Sequence, residues 1–214
     1  MPERRPIASR DTKIAARVAQ WLVARGVSPN RISQASVVFA ALAGLAFWQS
    51  SLADGLAQSL WLIAAALGCQ LRLLCNLFDG MVAVEGGKGS PDGPFWNEAP
   101  DRLADVLILV GLGFGSGAVV LGWVAATLAV STAYIRELRS AQGLDTDFSG
   151  PMAKPHRMAM TTLAAVLAAI VPVMAGWPVL TIALWIIVLG TGVTVLRRSF
   201  ALISALNATG QRRD

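Results

Sequence analysis

Long apolar segments separated by short polar stretches make up most of the chain. We place six membrane-spanning helices near residues 32–52, 58–84, 94–115, 117–138, 155–175 and 178–206. The connections after the first, third and fifth of these spans are short and contain neither Lys nor Arg. The second and sixth spans look longer than one bilayer and are expected to project beyond it. This pattern predicts an all-α integral membrane protein with six transmembrane helices.

A weaker pattern precedes the first span, over residues 11–26. Ile14, Val18 and Leu22 form an apolar stripe, and the basic residues of the segment lie on other faces. We interpret this segment as an amphipathic helix lying on an anionic membrane surface. The predicted divisions are a cytoplasmic N-terminal segment with this juxtamembrane helix (1–31), a six-helix membrane domain (32–207) and a cytoplasmic tail (208–214).

Composition supports the membrane assignment. The 214 residues are 55% hydrophobic and 14% charged, whereas soluble domains carry about 25% charged residues. Six spans leave no room for a separate soluble domain. Cys69 and Cys75 both fall in the second predicted span, so we expect packing thiols and no disulfide.

The net charge of +5 could indicate a nucleic-acid partner, but the distribution of the basic residues argues against one. Most of them lie in the two tails and in the connections after the second and fourth spans, or in the ends of spans next to these segments. Basic residues favour the cytoplasmic side of a membrane. We therefore predict a multi-pass protein of a bacterial-type inner (cytoplasmic) membrane, with both termini and the 85–93 turn in the cytoplasm.

Polar residues enter the apolar pattern mainly between positions 76 and 105. Asn76 and Asp79 are three apart, and Asn97, Asp101 and Asp105 follow at steps of four, so each set shares one helix face. A glycine-rich turn between the sets would bring the two faces together. The arrangement predicts a site for a hard divalent cation. Interhelical hydrogen bonds that only stabilise a bundle are the alternative, although they do not require carboxylates, which are costly in lipid.

Arg72 lies in the same span, four residues before Asn76 and on the same face. An arginine at this depth needs a partner, and we expect it to pair with a carboxylate of the site. A purely structural salt bridge remains equally open.

The spacing of this region resembles the signature D-x2-D-G-x2-A-R-x8-G-x3-D-x3-D of the CDP-alcohol phosphotransferases. The corresponding positions here are Asn76, Asp79, Gly80, Ala83, Val84, Gly93, Asn97 and Asp101. Five of the eight match in identity and the spacing has no gap. The stretch VSPNRISQAS is also similar to the family's Pro-Asn-x-x-Ser/Thr sequence near the first span. The chain is thus identified as a divergent member, with Asn76, Asn97 and Val84 replacing two family aspartates and an arginine.

The resemblance implies a metal site and a catalytic base. In that family the aspartates hold one or two divalent ions, Mg²⁺ or Mn²⁺, that bridge the pyrophosphate of a CDP-alcohol. Asp79 would be a metal ligand, and Asn76 and Asn97 would offer neutral carbonyl oxygens. Asp101 would be both a ligand and the base that acts on the acceptor hydroxyl.

Asp105 extends the same face by one turn and is a candidate additional metal ligand. Pairing of Asp105 with Arg72 or Arg102 is the open alternative.

Two further groups of residues would bind the substrates. The resemblance implies nucleotide binding around Asp79 and Asn30, where the small residues Gly80, Ala83 and Gly93 leave space against the helices. Lys88 in the glycine-rich turn could add a contact to phosphate. The basic residues expected at the cytoplasmic mouth, as ligands of phosphate or of the acceptor, are Lys154, Arg157, Arg136 and Arg139. Positive-inside topology alone would also place basic residues there.

The expected function is transfer of a phosphatidyl or phosphoalkyl group in phospholipid biosynthesis. The donor would be a CDP-alcohol, expected to be CDP-diacylglycerol, the acceptor a small polar alcohol, and the product CMP. Membrane lipids and a second copy of the chain in a homodimer are the expected partners. A non-catalytic nucleotide- or lipid-binding relative with a regulatory or scaffolding role is the alternative. A small transporter fits less well, because no inverted repeat is visible.

Overall fold

The computed structural model describes residues 12–87 and 91–210, which form seven α-helices and one two-stranded hairpin. The helices are α1 (Lys13–Ala24), α2 (Pro29–Ser50), α3 (Gly55–Glu85), α4 (Gly93–Gly115), α5 (Val119–Ala141), α6 (Lys154–Ile170) and α7 (Val179–Gly210). The strands are β1 (Val173–Met174) and β2 (Trp177–Pro178). Each of the six predicted spans overlaps one helix from α2 to α7.

Side-chain caps set where the first two helices begin. The hydroxyl oxygen of Thr12 accepts a hydrogen bond from the backbone N–H of Ala15, at 3.3 Å. At α2, the Ser28 hydroxyl accepts from the Arg31 N–H at 3.4 Å, and Pro29 follows in the first turn. Both devices satisfy or remove backbone donors that a helix leaves free at its start. They fix the beginning of α2, which carries one side of the polar cluster described below.

Helices α2 to α7 contact one another in a closed ring. In this ring α2 packs against α3 and α4, α4 against α5, α5 against α7, α7 against α6, and α6 back against α3. The interior is apolar and includes Phe47, Leu62, Ile108 and Leu184, all nearly inaccessible to solvent. Helix α1 packs outside the ring, mainly against α3. Polar side chains of α3, α4 and α6 meet in the interior of this ring.

Four helices in the described part of the chain are long and apolar enough to cross a membrane. They are Pro29–Ser50, Gly55–Val84, Val119–Ala141 and Val179–Ala208. Large apolar side chains such as Leu56, Val120 and Leu189 are exposed on the outside of the bundle, as expected where lipid replaces water. The protein is a multi-pass membrane protein. A total of six spans stays a prediction, because α4 carries several charges and α6 has only 17 residues.

The connection between α6 and α7 contains a feature that the sequence pattern did not indicate. It folds as a hairpin in which Val173 pairs with Pro178 and Met174 with Trp177. The two turn residues, Ala175 and Gly176, have φ values of 52° and 81°. Strands of two residues are too short to show an alternating pattern, so this element could not be predicted from periodicity.

Helices α2 and α4 approach each other most closely at two glycines. A methyl group placed on Gly111 would lie 2.3 Å from the Cα of Gly44, and one on Gly44 would lie 2.4 Å from the backbone oxygen of Leu107. Small residues at such crossings permit close helix packing. This contact sets the distance between α2 and α4.

We expect the substitution Gly111→Ala to lower the free energy of unfolding by about 1–3 kcal/mol, because the added methyl group must push the two helices apart. Gly192→Ala on α7 is the matched control, since no described atom lies within 4 Å of its Cβ position. Thermal unfolding in detergent, followed by tryptophan fluorescence, would measure both variants. Equal melting temperatures for the two would contradict the close α2–α4 contact.

Candidate active site

Asp79 on α3 is held by a serine of α2. The Ser33 hydroxyl donates a hydrogen bond to Asp79 Oδ2 at 2.8 Å, and Asp79 is only 6% exposed. The second oxygen, Oδ1, is buried and has no hydrogen-bond partner among the described residues. An unpaired buried carboxylate oxygen is costly, so this atom is the clearest position for a ligand.

Asp101 on α4 has three polar neighbours. The Asn76 amide nitrogen donates to Asp101 Oδ1 and Oδ2 at 3.2 and 3.4 Å, and Arg72 Nη2 lies 3.1 Å from Oδ1. Lys154, the first residue of α6, places its ammonium group against Oδ2. The same ammonium group donates to the carbonyl oxygen of Asn76 at 2.9 Å. These contacts fix the orientation of the carboxylate from two neighbouring helices.

Asp105, one turn further along α4, is almost completely buried between two arginines. Arg72 Nη2 is 3.2 Å from Oδ1, and Arg157 Nη2 is 2.7 Å from Oδ2. The prediction that Arg72 pairs with carboxylates of the site is therefore confirmed. Both oxygens of Asp105 are paired with cations, which favours its structural alternative over a role as a metal ligand.

The cluster is balanced in formal charge. Among the described residues it contains three carboxylates, Asp79, Asp101 and Asp105, and three cationic groups, Arg72, Lys154 and Arg157. Asp79 lies three residues after Asn76 on α3, so both side chains lie on the same face of that helix. Buried charges persist only when they are paired and hydrogen-bonded, and this balance lets six ionisable groups share an apolar bundle.

The loop between α5 and α6 positions Lys154 and Arg157. The Met152 N–H donates to the Thr194 hydroxyl at 3.0 Å, and Arg198 Nε donates to the Ser149 backbone oxygen at 2.9 Å. Both contacts anchor the loop to α7. Within the loop, burial alone would raise the pKa of Asp147, but hydrogen bonds from Ser149 hold that pKa below its usual value. These contacts hold the backbone that leads into α6 in place, and Lys154 and Arg157 extend from there into the cluster.

A second group of charges lies at the outer edge. Arg136 and Arg102 both contact the Glu98 carboxylate, and the Arg136 guanidinium lies 5.6 Å from the centre of the Phe148 ring. Arg139 donates to the backbone oxygen of Asp145 at 2.6 Å. In this structure Arg136 and Arg139 are therefore both bound to groups of the protein itself.

Comparison with known proteins gives one consistent result. No family model matches the chain. The phosphatidylinositol phosphate synthase of Mycobacteroides abscessus is 24% identical over 208 residues, spanning 92% of this chain and 87% of that protein. The enzyme of the same name from Mycolicibacterium smegmatis is 24% identical over 197 residues, spanning 89% and 84%. The chain is thus similar, over most of its length, to two phosphatidylinositol phosphate synthases.

Solved structures show the same fold. Phosphatidylinositol phosphate synthase of Mycobacterium tuberculosis with CDP-DAG bound superposes with a TM-score of 0.73 at 19% identity, covering 89% of this chain and 94% of that one. The same enzyme in complex with manganese and citrate gives a TM-score of 0.72 at 19% identity, covering 88% of each chain. At this level of identity the comparison establishes the fold of the bundle.

Against the family motif, the structure brings some of the predicted residues together and separates others. Asn76, Asp79 and Asp101 meet in one cluster. Asn97 is exposed, and its amide donates to Glu98 Oε1 at 3.2 Å. The amide of Asn30 approaches Asp92 Oδ2 at 3.4 Å, which joins the start of α2 to the start of α4.

The remaining predicted residues border this cluster or lie outside the described part of the chain. Gly80 and Ala83 are half-buried on α3, and Gly93 opens α4. Lys88 lies outside the described residues. The structural roles of these residues do not by themselves test nucleotide binding, which stays a prediction.

The donor atoms fit a divalent cation on the Asp79 side of the cluster. In residues 12–87 and 91–210 no group of three or more His, Cys, Asp or Glu side chains is arranged to hold a metal. Asp79 Oδ1 is nevertheless a buried carboxylate oxygen for which the described residues provide no partner, and hard cations prefer such oxygen ligands. An ion there would complete its coordination with amide oxygens and with oxygens of the substrate.

Several residues of the site were not singled out from the sequence. Ser33 could have been found, because it is the serine of the Pro-Asn-x-x-Ser stretch. Thr194, Arg198 and Ser149 gave no signal, since they come together only when the α5–α6 loop packs on α7. Glu98 gave no signal of its role either, because its pairing with Arg136 depends on the α4–α5 contact.

Proposed function

We propose that the protein transfers a phosphatidyl group from a CDP-activated lipid to the hydroxyl of a small polar acceptor and releases CMP. If the donor is a CDP-alcohol other than CDP-diacylglycerol, the transferred group is a phosphoalkyl group. The observation that carries the proposal is the polar cluster in which Asn76 of α3 contacts Asp101 of α4, with the buried Asp79 one turn along α3. Relatives that share most of the chain are phosphatidylinositol phosphate synthases, which supports a transferase of phospholipid biosynthesis.

CDP-diacylglycerol is the proposed donor. A protein of the same fold has been solved with CDP-DAG bound. The acyl chains of such a donor would stay beside the apolar outer face of the bundle, while its pyrophosphate reaches the polar cluster. We propose that the nucleotide lies against Gly80, Ala83 and Gly93, near Asn30, where small side chains leave space.

The reaction requires one proton transfer and one displacement at phosphorus. Asp101 accepts the proton of the acceptor hydroxyl through a carboxylate oxygen. The acceptor oxygen then forms a bond to the lipid-linked phosphorus, and the bond from that phosphorus to the oxygen of CMP breaks. The contacts from Arg72 and Asn76 orient Asp101 for this role, because a base must lie within hydrogen-bond reach of the proton that it removes.

A divalent ion, Mg²⁺ or Mn²⁺, would be held by Asp79, whose Oδ1 has no partner among the described residues. The motif predicts Asn76, Asn97 and Asp101 as further ligands, although Lys154 contacts Asn76 and Asp101 in this structure. When bound, it would neutralise the pyrophosphate and stabilise the departing CMP. A neighbour of the same fold is known in complex with manganese. Asp105 is the least favoured of the predicted ligands, because Arg72 and Arg157 pair with both of its oxygens.

Basic residues beside the cluster would bind the acceptor or its phosphate. Lys154 and Arg157 extend from the start of α6 into the cluster. Arg136 and Arg139, from the last turns of α5, are the other predicted ligands. Arginine and lysine groups so placed can hold a phosphate or several hydroxyls. The acceptor is proposed only as a small polar alcohol.

The membrane arrangement is part of the proposal. All six helices α2–α7 would span the inner membrane within a domain of residues 32–207, and the charged cluster and both termini would face the cytoplasm. Residues 1–31 would include α1 lying on the membrane surface, where Ile14 and Trp21 are exposed. Residues 208–214 would form a cytoplasmic tail, and two copies would associate as a homodimer.

Lipid analysis tests the proposal and identifies the acceptor. Mass spectrometry of lipids from cells with and without the protein should reveal a phospholipid class that depends on it, and its head group names the acceptor. The same comparison in cells producing the Asp79→Asn variant serves as the control for lipid changes caused by membrane insertion alone. An unchanged lipid profile in all three strains would contradict a biosynthetic transferase.

Removal of divalent metal should abolish CMP release by the purified protein, because no cation would then neutralise the pyrophosphate. Treatment with EDTA followed by addition of Mg²⁺ or Mn²⁺ measures this directly, and either ion should restore release. CMP release that persists at full rate in EDTA would exclude the metal-dependent form of the reaction.

A further inference from the structure

The carboxylate oxygens on the two sides of the polar cluster differ in their partners. On one side, Asp79 Oδ1 is buried and the described residues offer it no hydrogen-bond partner. On the other side, both oxygens of Asp101 are in contact with cationic groups, Arg72 at Oδ1 and Lys154 at Oδ2. One side is therefore open to a ligand, and the other already contains a positive charge.

Lys154 contacts the same kinds of atom that a bound metal ion would contact. Its ammonium group lies against a carboxylate oxygen of Asp101 and 2.9 Å from the carbonyl oxygen of Asn76. Carboxylate and amide oxygens from facing helices are typical ligands of a hard divalent ion. An ammonium group supplies positive charge to such oxygens without needing a full coordination shell.

The formal charge of the cluster also indicates that Lys154 acts where a metal ion could bind. Within the described residues, three carboxylates are balanced by Arg72, Lys154 and Arg157. One divalent ion would give this cluster a formal charge of about +2, which matches the charge of about −2 on the pyrophosphate of a CDP-alcohol. Two divalent ions beside the three cationic side chains would exceed the charge that one pyrophosphate neutralises.

The Asn76 side chain forms hydrogen bonds that suit an ammonium group as its neighbour. Its amide nitrogen donates to Asp101 while its carbonyl oxygen accepts from Lys154. A carboxylate at position 76 could not donate and would repel Asp101. The asparagine therefore suits a site whose cation is an ammonium group, and an aspartate would suit a second metal ion.

The backbone holds Lys154 in this place. It is the first residue of α6, followed by Pro155, and the preceding loop is anchored when the Met152 N–H donates to Thr194 at 3.0 Å. Its side chain is 23% exposed, so the ammonium group is not fully enclosed by the protein. The ammonium group can thus contact both Asp101 and an incoming phosphate.

We propose that the Lys154 ammonium group takes the place of a second divalent ion, so that the site binds a single ion, at Asp79. This inference deepens the proposed function and rests on it. During the reaction Lys154 contributes positive charge to the substrate phosphates beside Asp101, and the metal contributes it beside Asp79. The centre combines one exchangeable cation with one that is part of the chain.

Counting bound Mn²⁺ tests the proposal. Electron paramagnetic resonance of free Mn²⁺, titrated into purified full-length protein with CDP-diacylglycerol present, gives the number bound per chain. We expect one for the wild type and two for the double variant Lys154→Met, Asn76→Asp. Lys13→Met is the matched control, because Lys13 is exposed on α1 away from the cluster, and it should also bind one.

A wild-type count of two would overturn the proposal, and this measurement requires no variant to fold. A folded double variant that still binds one ion would also overturn it. The function is tested separately by CMP release, after a mixture of small polyols and polyol phosphates is added to the same samples as acceptors. Wild-type protein that releases CMP and binds two ions would leave the function standing and remove the role of Lys154, whereas absence of CMP release would remove the function itself.

Discussion

Asp101→Asn should reduce the rate of CMP release from CDP-diacylglycerol by about 10²–10⁴-fold, the range expected when a general base is lost. Asparagine keeps the shape of the side chain and can still accept hydrogen bonds from Arg72 and Lys154, but it cannot take the acceptor proton. The loss should appear in kcat, because the substituted atom acts on the reacting hydroxyl. A rate assay on purified protein in nanodiscs measures this.

The matched control for this variant is Asp145→Asn, which removes a carboxylate from the exposed α5–α6 loop and should leave the rate unchanged. Thermal unfolding must show that the Asp101 variant remains folded. A folded Asp101→Asn protein with a rate within about threefold of the wild type would show that Asp101 is not the base, since loss of a general base is far larger.

Arg72→Met should lower the free energy of unfolding by about 3–5 kcal/mol, the usual effect of removing one member of a buried ionic group. Arg72 is completely buried and bridges Asp101 and Asp105 at 3.1 and 3.2 Å. Its removal leaves two carboxylates with fewer cationic partners in a low-dielectric bundle. Unfolding in detergent, monitored by tryptophan fluorescence, would give the difference.

Arg102→Met is the comparison for this variant. Arg102 lies on α4 and pairs with Glu98, but its side chain is 23% exposed, so its loss should have an effect of about 1 kcal/mol or less. If Arg72→Met proved as mild as Arg102→Met, the cluster would not be held together by its buried ion pairs.

Much of the fold could be predicted because the membrane restricts what the chain can do. Backbone groups in lipid must be paired, so long apolar segments form helices, and α2 to α7 lie where hydropathy placed them. The hairpin Val173–Pro178 could not be predicted, because strands of two residues are too short to show an alternating pattern. The ring order of the helices also depends on which small residues meet, such as Gly44 with Gly111. The sequence shows small residues on the spans that permit close helix contact, but it does not show which of them pair.

The candidate site was predictable in part. Helical spacing placed Asn76 with Asp79 and Asp101 with Asp105, and depth in an apolar span indicated a partner for Arg72. Spacing alone also put Asn97 on that face, yet it is exposed and contacts Glu98. Lys154 was predicted as a phosphate ligand, but its contact with Asp101 depends on how α6 packs against α3. Side chains from separate helices meet only through tertiary packing, which periodicity does not describe.

The most direct test of the proposed function is to follow both products of one reaction. Purified protein in nanodiscs with CDP-diacylglycerol, Mg²⁺ and a mixture of small polyols and polyol phosphates can be monitored by ³¹P nuclear magnetic resonance. The proposed function predicts that CMP and a new phospholipid appear in equal amounts with the wild type, and neither with Asp101→Asn. CMP without a new lipid would indicate hydrolysis, and no CMP at all would contradict a CDP-dependent transferase.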